Sequence, residues 1–492
     1  EVTSQGYSTS GIVTGGGIEN SSSVTINGSL TIRKIQGNET GEAGDGRNLS
    51  ALNTLSGESS ITVTGDADIQ DIKGSVIKVN GTTGYKQGGT IRVGGGILSA
   101  AADPGKEKQY RLVNQQTGNV HINMAGTAPG ARKTVLKGDM YVVSESGQRA
   151  QEYGGGTLTP YAHDGTLNVA LTTNDSSWHG ASLYEETTTG TAEGGYSTLK
   201  AGNFNLYLQN GASWTNEQLS KAPETWRGSH VTKLTGGAVG SEGAIFQKDD
   251  KPLTIDHYDG QLKVFYQHTI SGQTPTITGG DTIIGSAASG SVITLVTDKT
   301  DLDPAAPGRK KKNLVSATLN ALANKLWYTA RKSGETHLTG KVMIADGLTT
   351  SSSSLRLEDV TFDGATGQGR YDYTPLTFNQ TVTAFTAPVT GDEATDTDYV
   401  TGGVLEDASY TFSKDTTITA ANGIKGSAAH KIDASILDGK TLTITATGAA
   451  IEAGAGSDIH LGGGKTVMTT SGTHVVTTAA GSTTSLKGGF DI

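Results

Sequence analysis

The residues best suited to chemistry lie in two short clusters, Asp249-Asp250 and Asp256-His257-Tyr258-Asp259. Paired carboxylates flanking a groove are what glycoside hydrolysis requires, one acting as acid and the other as base or nucleophile. The same strings, D-D-K-P and H-Y-D-G, also read as two solvated turns, because Asp and Gly favour tight bends. No Gly-Asp-Ser-Gly string occurs, and Gly285-Ser286-Ala-Ala-Ser289-Gly290 has the wrong spacing for a nucleophile elbow. Metal ligation finds only short pairs, His163-Asp164 and His257 through Asp259, without a third spaced ligand. The acidic run from Gly391 to Asp398 lacks the placed glycine and terminal glutamate of an EF-hand loop. The expectation is a non-enzyme with no cofactor.

Binding chemistry is concentrated in one basic island, Arg309, Lys310, Lys311 and Lys312, with Lys325, Arg331 and Lys332 beyond it. In a chain of net charge −10, clustered cations raise the local concentration of anions, and a sulfated glycan or an acidic protein patch would dock there. The alternative is a solvated loop leading into a helix. Trp178, Trp214, Trp226 and Trp327 are the candidates for stacking on sugar rings; the spacing places Trp327 on a buried stripe and Trp214 at a coil corner. Lys137-Gly-Asp139 is too short a match to an integrin-type tripeptide to use. The overall acidity argues against nucleic acid or anionic membrane as a partner.

These residues must be positioned by β structure. Ser59 to Lys78 reads S-S-I-T-V-T-G-D-A-D-I-Q-D-I-K-G-S-V-I-K, short alternating runs cut by single glycines, and the rhythm returns at Val24, Thr90, Asn203 and Thr441. Alternation turns one side chain in and the next out on a half-buried strand. Recurrence from end to end argues for stacked coils, each of roughly 20–25 residues, rather than a closed globular fold. Glycine is 70 of 492 residues and sits at the ends of β-branched runs, where corners need positive φ. Cysteine is absent, which excludes disulfides and thiol catalysis. About twenty coils at the strand spacing would give a rod of roughly 80–100 Å.

The chain reads as a single β-helical domain over 1–492, regular over 1–100, loop-rich over 101–194, coiled again over 195–300 and most regular over 404–490. Gly37 to Arg47 reads as an excursion from the coils. One segment breaks the pattern: over 313–331, Leu314, Val315, Leu319, Leu322, Leu326 and Trp327 follow the i, i+3, i+4 spacing of an amphipathic helix, with Asn313 as its cap.

Three passages resemble the passenger domains of AIDA-type autotransporters, the self-associating adhesins of Gram-negative bacteria. They are Gly202 to Trp214 (G-N-F-N-L-Y-L-Q-N-G-A-S-W), Gly290 to Asp298 leading into Leu319 to Tyr328, and Leu338 to Thr350 followed by Asp359 to Gly364. The resemblance covers 195–375 well and the remainder in style. It implies a right-handed, three-sided parallel β-helix, exported through the outer membrane and held at the bacterial cell surface by a translocating β-barrel outside this chain. It also implies adhesion to host extracellular-matrix protein or glycosaminoglycan, and self-association between cells leading to aggregation and biofilm. A β-helical polysaccharide lyase or hydrolase is the alternative.

Overall fold

The computed structural model describes residues 2–3, 9–15, 21–36, 49–55, 59–80, 88–150, 158–191, 194–271, 274–298, 318, 320–330, 335, 337–345, 353–356, 362–363, 368–369, 378–379, 408–412, 415–426 and 428–492. The chain winds as a parallel β-helix solenoid. In its first turns it visits three faces in order, for example Ala67–Ile72, Ser75–Val79 and Thr90–Val93, and then Gly96–Ala100, Arg111–Gln115 and Gly118–Ile122. Each strand pairs in parallel with its counterpart one turn away. The first face is a 13-stranded sheet, parallel except where Thr274–Thr278 and Ser353–Arg356 join it; the third is a 10-stranded, wholly parallel sheet.

Alternation becomes a core because the register never slips where it matters. Along the first face Ile69, Leu98, Leu136, Trp178, Trp214, Ile245, Val264, Leu295 and Val342 lie in one inward column, rung on rung. All are buried. On the third face Ile61, Ile91, Val120, Leu167 and Phe204 do the same. A one-residue slip would turn such a column outward, so the burial of one face fixes the pairing. Midway along this column two indoles fill it: the Trp178 and Trp214 rings stack at 4.5 Å and 9°, and each indole N–H donates to a corner carbonyl, Gly138 at 3.0 Å and Gly180 at 2.8 Å.

Glycine makes the corners. Gly118, at φ +83°, turns the chain from the second face to the third directly over the preceding turn, and a Cβ there would lie 2.5 Å from the Gly89 carbonyl oxygen. Only a residue without a side chain tolerates both the angle and the contact.

The second face is shorter than the other two. Its parallel strands run from Thr9–Thr14 through Asp139–Ala150 to Ser182–Leu183, and among the described residues no later strand continues them. The rest of that sheet is an antiparallel excursion: the end of Asp139–Ala150 pairs with Leu158–His163 and Gly195–Ala201, and Thr187–Thr191 closes it. The interval 101–194 is therefore a run of full coils carrying large insertions. That is why its turns exceed the expected 20–25 residues and why its repeat is hard to read.

The amphipathic segment also differs from expectation. Thr318 and Asn320–Ala323 are helical, but the helix stops there, and Leu326–Tyr328 is a strand on the third face paired with Thr282–Ala287. Leu322 and Leu326 are both buried, four residues apart, yet one belongs to a helix and the other to a strand. The coil's need for a rung at Leu326 and Tyr328 overrides the helical period. Residues 313–317 lie outside the described residues.

A second stack, built on Ala408–Phe412, Lys431–Ala446, Asp458–Thr470 and Thr483–Leu486, buries its own core around Ile432, Ile444, Ile451 and Ile459. Most of 346–407, between the two stacks, lies outside the described residues.

Candidate functional site

A cleft of about 620 Å³ opens on the outer side of the second face, where that sheet runs out. Its floor is a polar rung ladder. Register places Lys78 beside Asn114 and Asn114 beside Tyr141, so three successive turns offer an ammonium, an amide and a phenol in one column. Asn80 and Gln116, two residues further along their strands, supply two more amides. These are the outward positions whose strand neighbours Ile77, Val79, Val113, Gln115 and Val142 face the core.

At one end Arg111, Tyr141 and Glu185 lock together. The Arg111 guanidinium lies 4.4 Å from the Tyr141 ring centroid, and the Tyr141 hydroxyl donates to Glu185 Oε2 at 3.1 Å. Burial, then the Glu185 charge, raises the phenol far above its ordinary range, so it stays a donor.

The side wall is a strap, residues 217–228, which occupies the side of the solenoid that a second-face strand would otherwise cover. A buried carboxylate holds it. Asp139 Oδ2 accepts from the Ser220 N–H and hydroxyl, both at 2.7 Å, and both carboxylate oxygens accept from the Leu219 N–H at 3.0 Å. Oδ1 also takes the Ala181 N–H at 2.8 Å. Burial pushes this carboxyl above its ordinary range, against the pull of those donors. Further ties are Lys221 N–H to the Lys108 carbonyl at 2.8 Å and Arg111 Nη2 to the Lys221 carbonyl at 3.3 Å. Trp226, wholly buried, donates to the Ser182 carbonyl and carries the Lys251 ammonium 4.2 Å over its ring.

The acid and histidine clusters singled out by sequence are not brought together. Asp249 accepts from the Gln218 N–H at 2.8 Å, and its pKa is pushed up to about 6 by burial and by the neighbouring Asp139 and Glu217 charges. It is part of the strap's anchorage. Asp256 pairs with His230 at 2.9 Å on the outside of the third face, whereas Tyr258 is wholly buried and donates to the Val292 carbonyl. His257 Nδ1 meets Ser286 Oγ at 3.0 Å, but that hydroxyl donates to the Asp256 carbonyl, so Nδ1–H is the donor at this contact and does not take the Ser286 proton. Among the described residues no three His, Asp or Glu side chains gather as a metal site.

The tryptophans also differ from the sequence reading. Trp178, Trp214 and Trp226 are wholly buried and cannot stack on an external sugar. Trp214 sits mid-strand, not at a corner, while Trp327 is half-buried on the outward side and donates to Asp281 at 3.0 Å. Asp139 of the Lys-Gly-Asp string is buried. The basic island Arg309, Lys310, Lys311, Lys312, Arg331 and Lys332 lies outside the described residues, as do the acidic run 391–398 and the excursion 37–47. Lys325 donates to the Gly279 carbonyl at 2.7 Å beside Asp281.

Sequence reasoning missed the cleft. Its residues are spread from Lys78 to Thr225, and the inserted loops hide the register that unites them. Together the fold and site define a β-helix with an ordered polar cleft on one flank. Comparison with protein-family models, curated proteins and solved structures gave no match to the chain.

Proposed function

We propose that the chain is an adhesive rod displayed on the surface of a Gram-negative bacterium, an autotransporter passenger that binds matrix protein or glycan and joins cells to one another. The observation that carries this reading is the outward polar ladder on the third face. Asn205 Nδ2 donates to Asn168 Oδ1 at 3.0 Å, and Asn168 Nδ2 lies 3.2 Å from His121 Nδ1, so one side-chain chain crosses three turns. Donors and acceptors repeated at the strand spacing suit many weak contacts made at once, and linked weak contacts multiply into strong attachment. The passages that resemble AIDA-type adhesins, Gly202 to Trp214 among them, point the same way.

The test is physical attachment. Beads coated with the full chain are expected to cluster and to be retained on matrix protein or glycan surfaces. Release of reducing sugar from a polysaccharide panel without retention would favour the lyase or hydrolase alternative and overturn the adhesive one.

A further inference from the structure

We infer that the cleft beside the strap is a binding site for an acidic saccharide chain lying along the solenoid axis. The inference deepens the adhesive reading by naming where a ligand would sit and what it would be, and it rests on that reading.

Three features of the cleft lead there. The first is periodicity. Lys78, Asn114 and Tyr141 stand on successive turns, at the strand spacing of ~4.8 Å, and a pyranose ring in a linked chain advances by a comparable length. Successive sugars would therefore meet the Lys78 and Asn114 rungs, while Tyr141, buried beneath Arg111, closes the end of the row. The second is composition. Amides of Asn80, Asn114 and Gln116 both donate and accept, as vicinal hydroxyls require. A folded protein partner would instead need a dry aromatic or aliphatic anchor pocket, and the Tyr141 face that would supply one is covered by Arg111. The third is charge. Lys221 on the strap is exposed, and it lines the cleft with Lys78 and Arg111 in a chain whose net charge is −10. On the acidic side, Glu185 is engaged by Tyr141, and Glu224 stands at the exposed rim. A carboxylate or sulfate on the sugar would meet the two lysines, and the volume of about 620 Å³ suits a short oligosaccharide segment.

The site is also built rather than merely open. Asp139, through its five hydrogen bonds to Ala181, Leu219 and Ser220, holds the strap wall in place before any ligand arrives. Preorganisation of this kind lowers the ordering cost of binding.

The experiment is calorimetric titration of the full chain with hexasaccharides of three kinds: oligogalacturonate, a sulfated heparin fragment and neutral maltohexaose. Binding of an acidic hexamer, at least tenfold weaker in a Lys78→Gln/Lys221→Gln variant and weakened by salt, is expected. Lys233→Gln, which removes one charge where the cleft variant removes two, from an exposed lysine on the third face, should change it less than twofold. Asn114→Ala, which leaves the charge intact, should also weaken it. Equal binding of maltohexaose, or acidic binding that Lys233→Gln reduces as much as the cleft variant, would overturn the proposal, as would no heat with any of the three. The two readings fail separately. Beads coated with the cleft variant that still cluster like wild type would leave the adhesive rod standing and remove the cleft as its contact.

Discussion

Two titratable residues on different walls of the solenoid pull its stability in opposite directions over the same pH interval. His121 lies in the third-face ladder between Arg92 and Asn168, and burial followed by the Arg92 charge lowers its pKa from the ordinary 6.5 to about 4. The unfolded chain then binds the extra proton first, so the contribution of neutral His121 is present above pH 6.5 and lost as pH falls toward 4. Asp249 behaves in reverse. Its pKa is raised from 3.8 to about 6, so its contribution is full below 3.8 and lost as pH rises through 6. Urea midpoints measured from pH 4 to 6.5 are expected to fall more steeply with rising pH in His121→Asn and to rise more steeply in Asp249→Asn; unchanged slopes in both would refute the assignment. Gly118 offers a second test. Replacing it with Ala should cost roughly 1–3 kcal/mol, from the strained φ together with the close Gly89 oxygen, read as a lowered urea midpoint with an unchanged far-UV spectrum.

The strap is the element that most repays mutation. Asp139→Asn replaces an acceptor oxygen with an NH₂ group facing N–H donors, and hydrogen bonds to a charged group are worth about 1.5–3 kcal/mol each. The strap should loosen while the coils persist. Limited trypsinolysis should then cut after Lys221 and Arg227 well before any other site among the described residues, and wild type should resist at these two. Simultaneous cleavage throughout the chain would mean that Asp139 supports the whole solenoid rather than the strap. Such elements were unevenly legible in the sequence. Strands with clean alternation, such as Thr90-Ile-Arg-Val and Asn203-Phe-Asn-Leu-Tyr-Leu, read directly, because inward and outward environments differ so strongly. The helix was half legible: Leu322 and Leu326 satisfy both a helical and a mixed reading, and only the rung at Leu326 and Tyr328 decides between them. The Asp and His clusters were readable as residues but not as neighbours, because the register across inserted loops is a tertiary fact.

At the scale of the molecule, the main cores of the two stacks share no residue among those described, one from Ile35 to Val342 and one from Phe412 to Met468; a small third cluster, Tyr141, Val143, Ala181, Leu183 and Trp226, lies beneath the strap on the first stack. In a solenoid, stability adds turn by turn, and cooperativity fades where stacking is interrupted. All four tryptophans of the chain, Trp178, Trp214, Trp226 and Trp327, belong to the first stack. Intrinsic fluorescence therefore reports the first stack, while far-UV circular dichroism reports both. The two unfolding curves are expected to part, and coincident curves across urea would show the stacks to unfold as one. The first face alone, roughly ten spacings of ~4.8 Å, amounts to about 50 Å. Small-angle scattering of the whole chain should give a radius of gyration above the ~23 Å of a globular chain of this length. Solenoid class was visible from the rhythm of the sequence, whereas the early end of the second face was not, since the residues of the strap carry no pattern that distinguishes them from a loop.

The strap's anchorage also imposes an order of assembly. Most ties in the solenoid join one turn to the next, and a nascent coil can be templated as soon as its predecessor is laid down. Asp139 instead waits for Leu219 and Ser220, 80 and 81 residues later, and Arg111 for Lys221, 110 residues later. Closing so long a loop must follow the intervening turns, because its entropy is recovered only when they are already stacked. Until then Asp139 keeps only the Ala181 N–H as a partner, and the cleft has a floor but no wall. A chain emerging from either end would hold a rigid rod well before it held a binding site, and refolding followed by protease resistance at Lys221 should lag behind the recovery of strand signal.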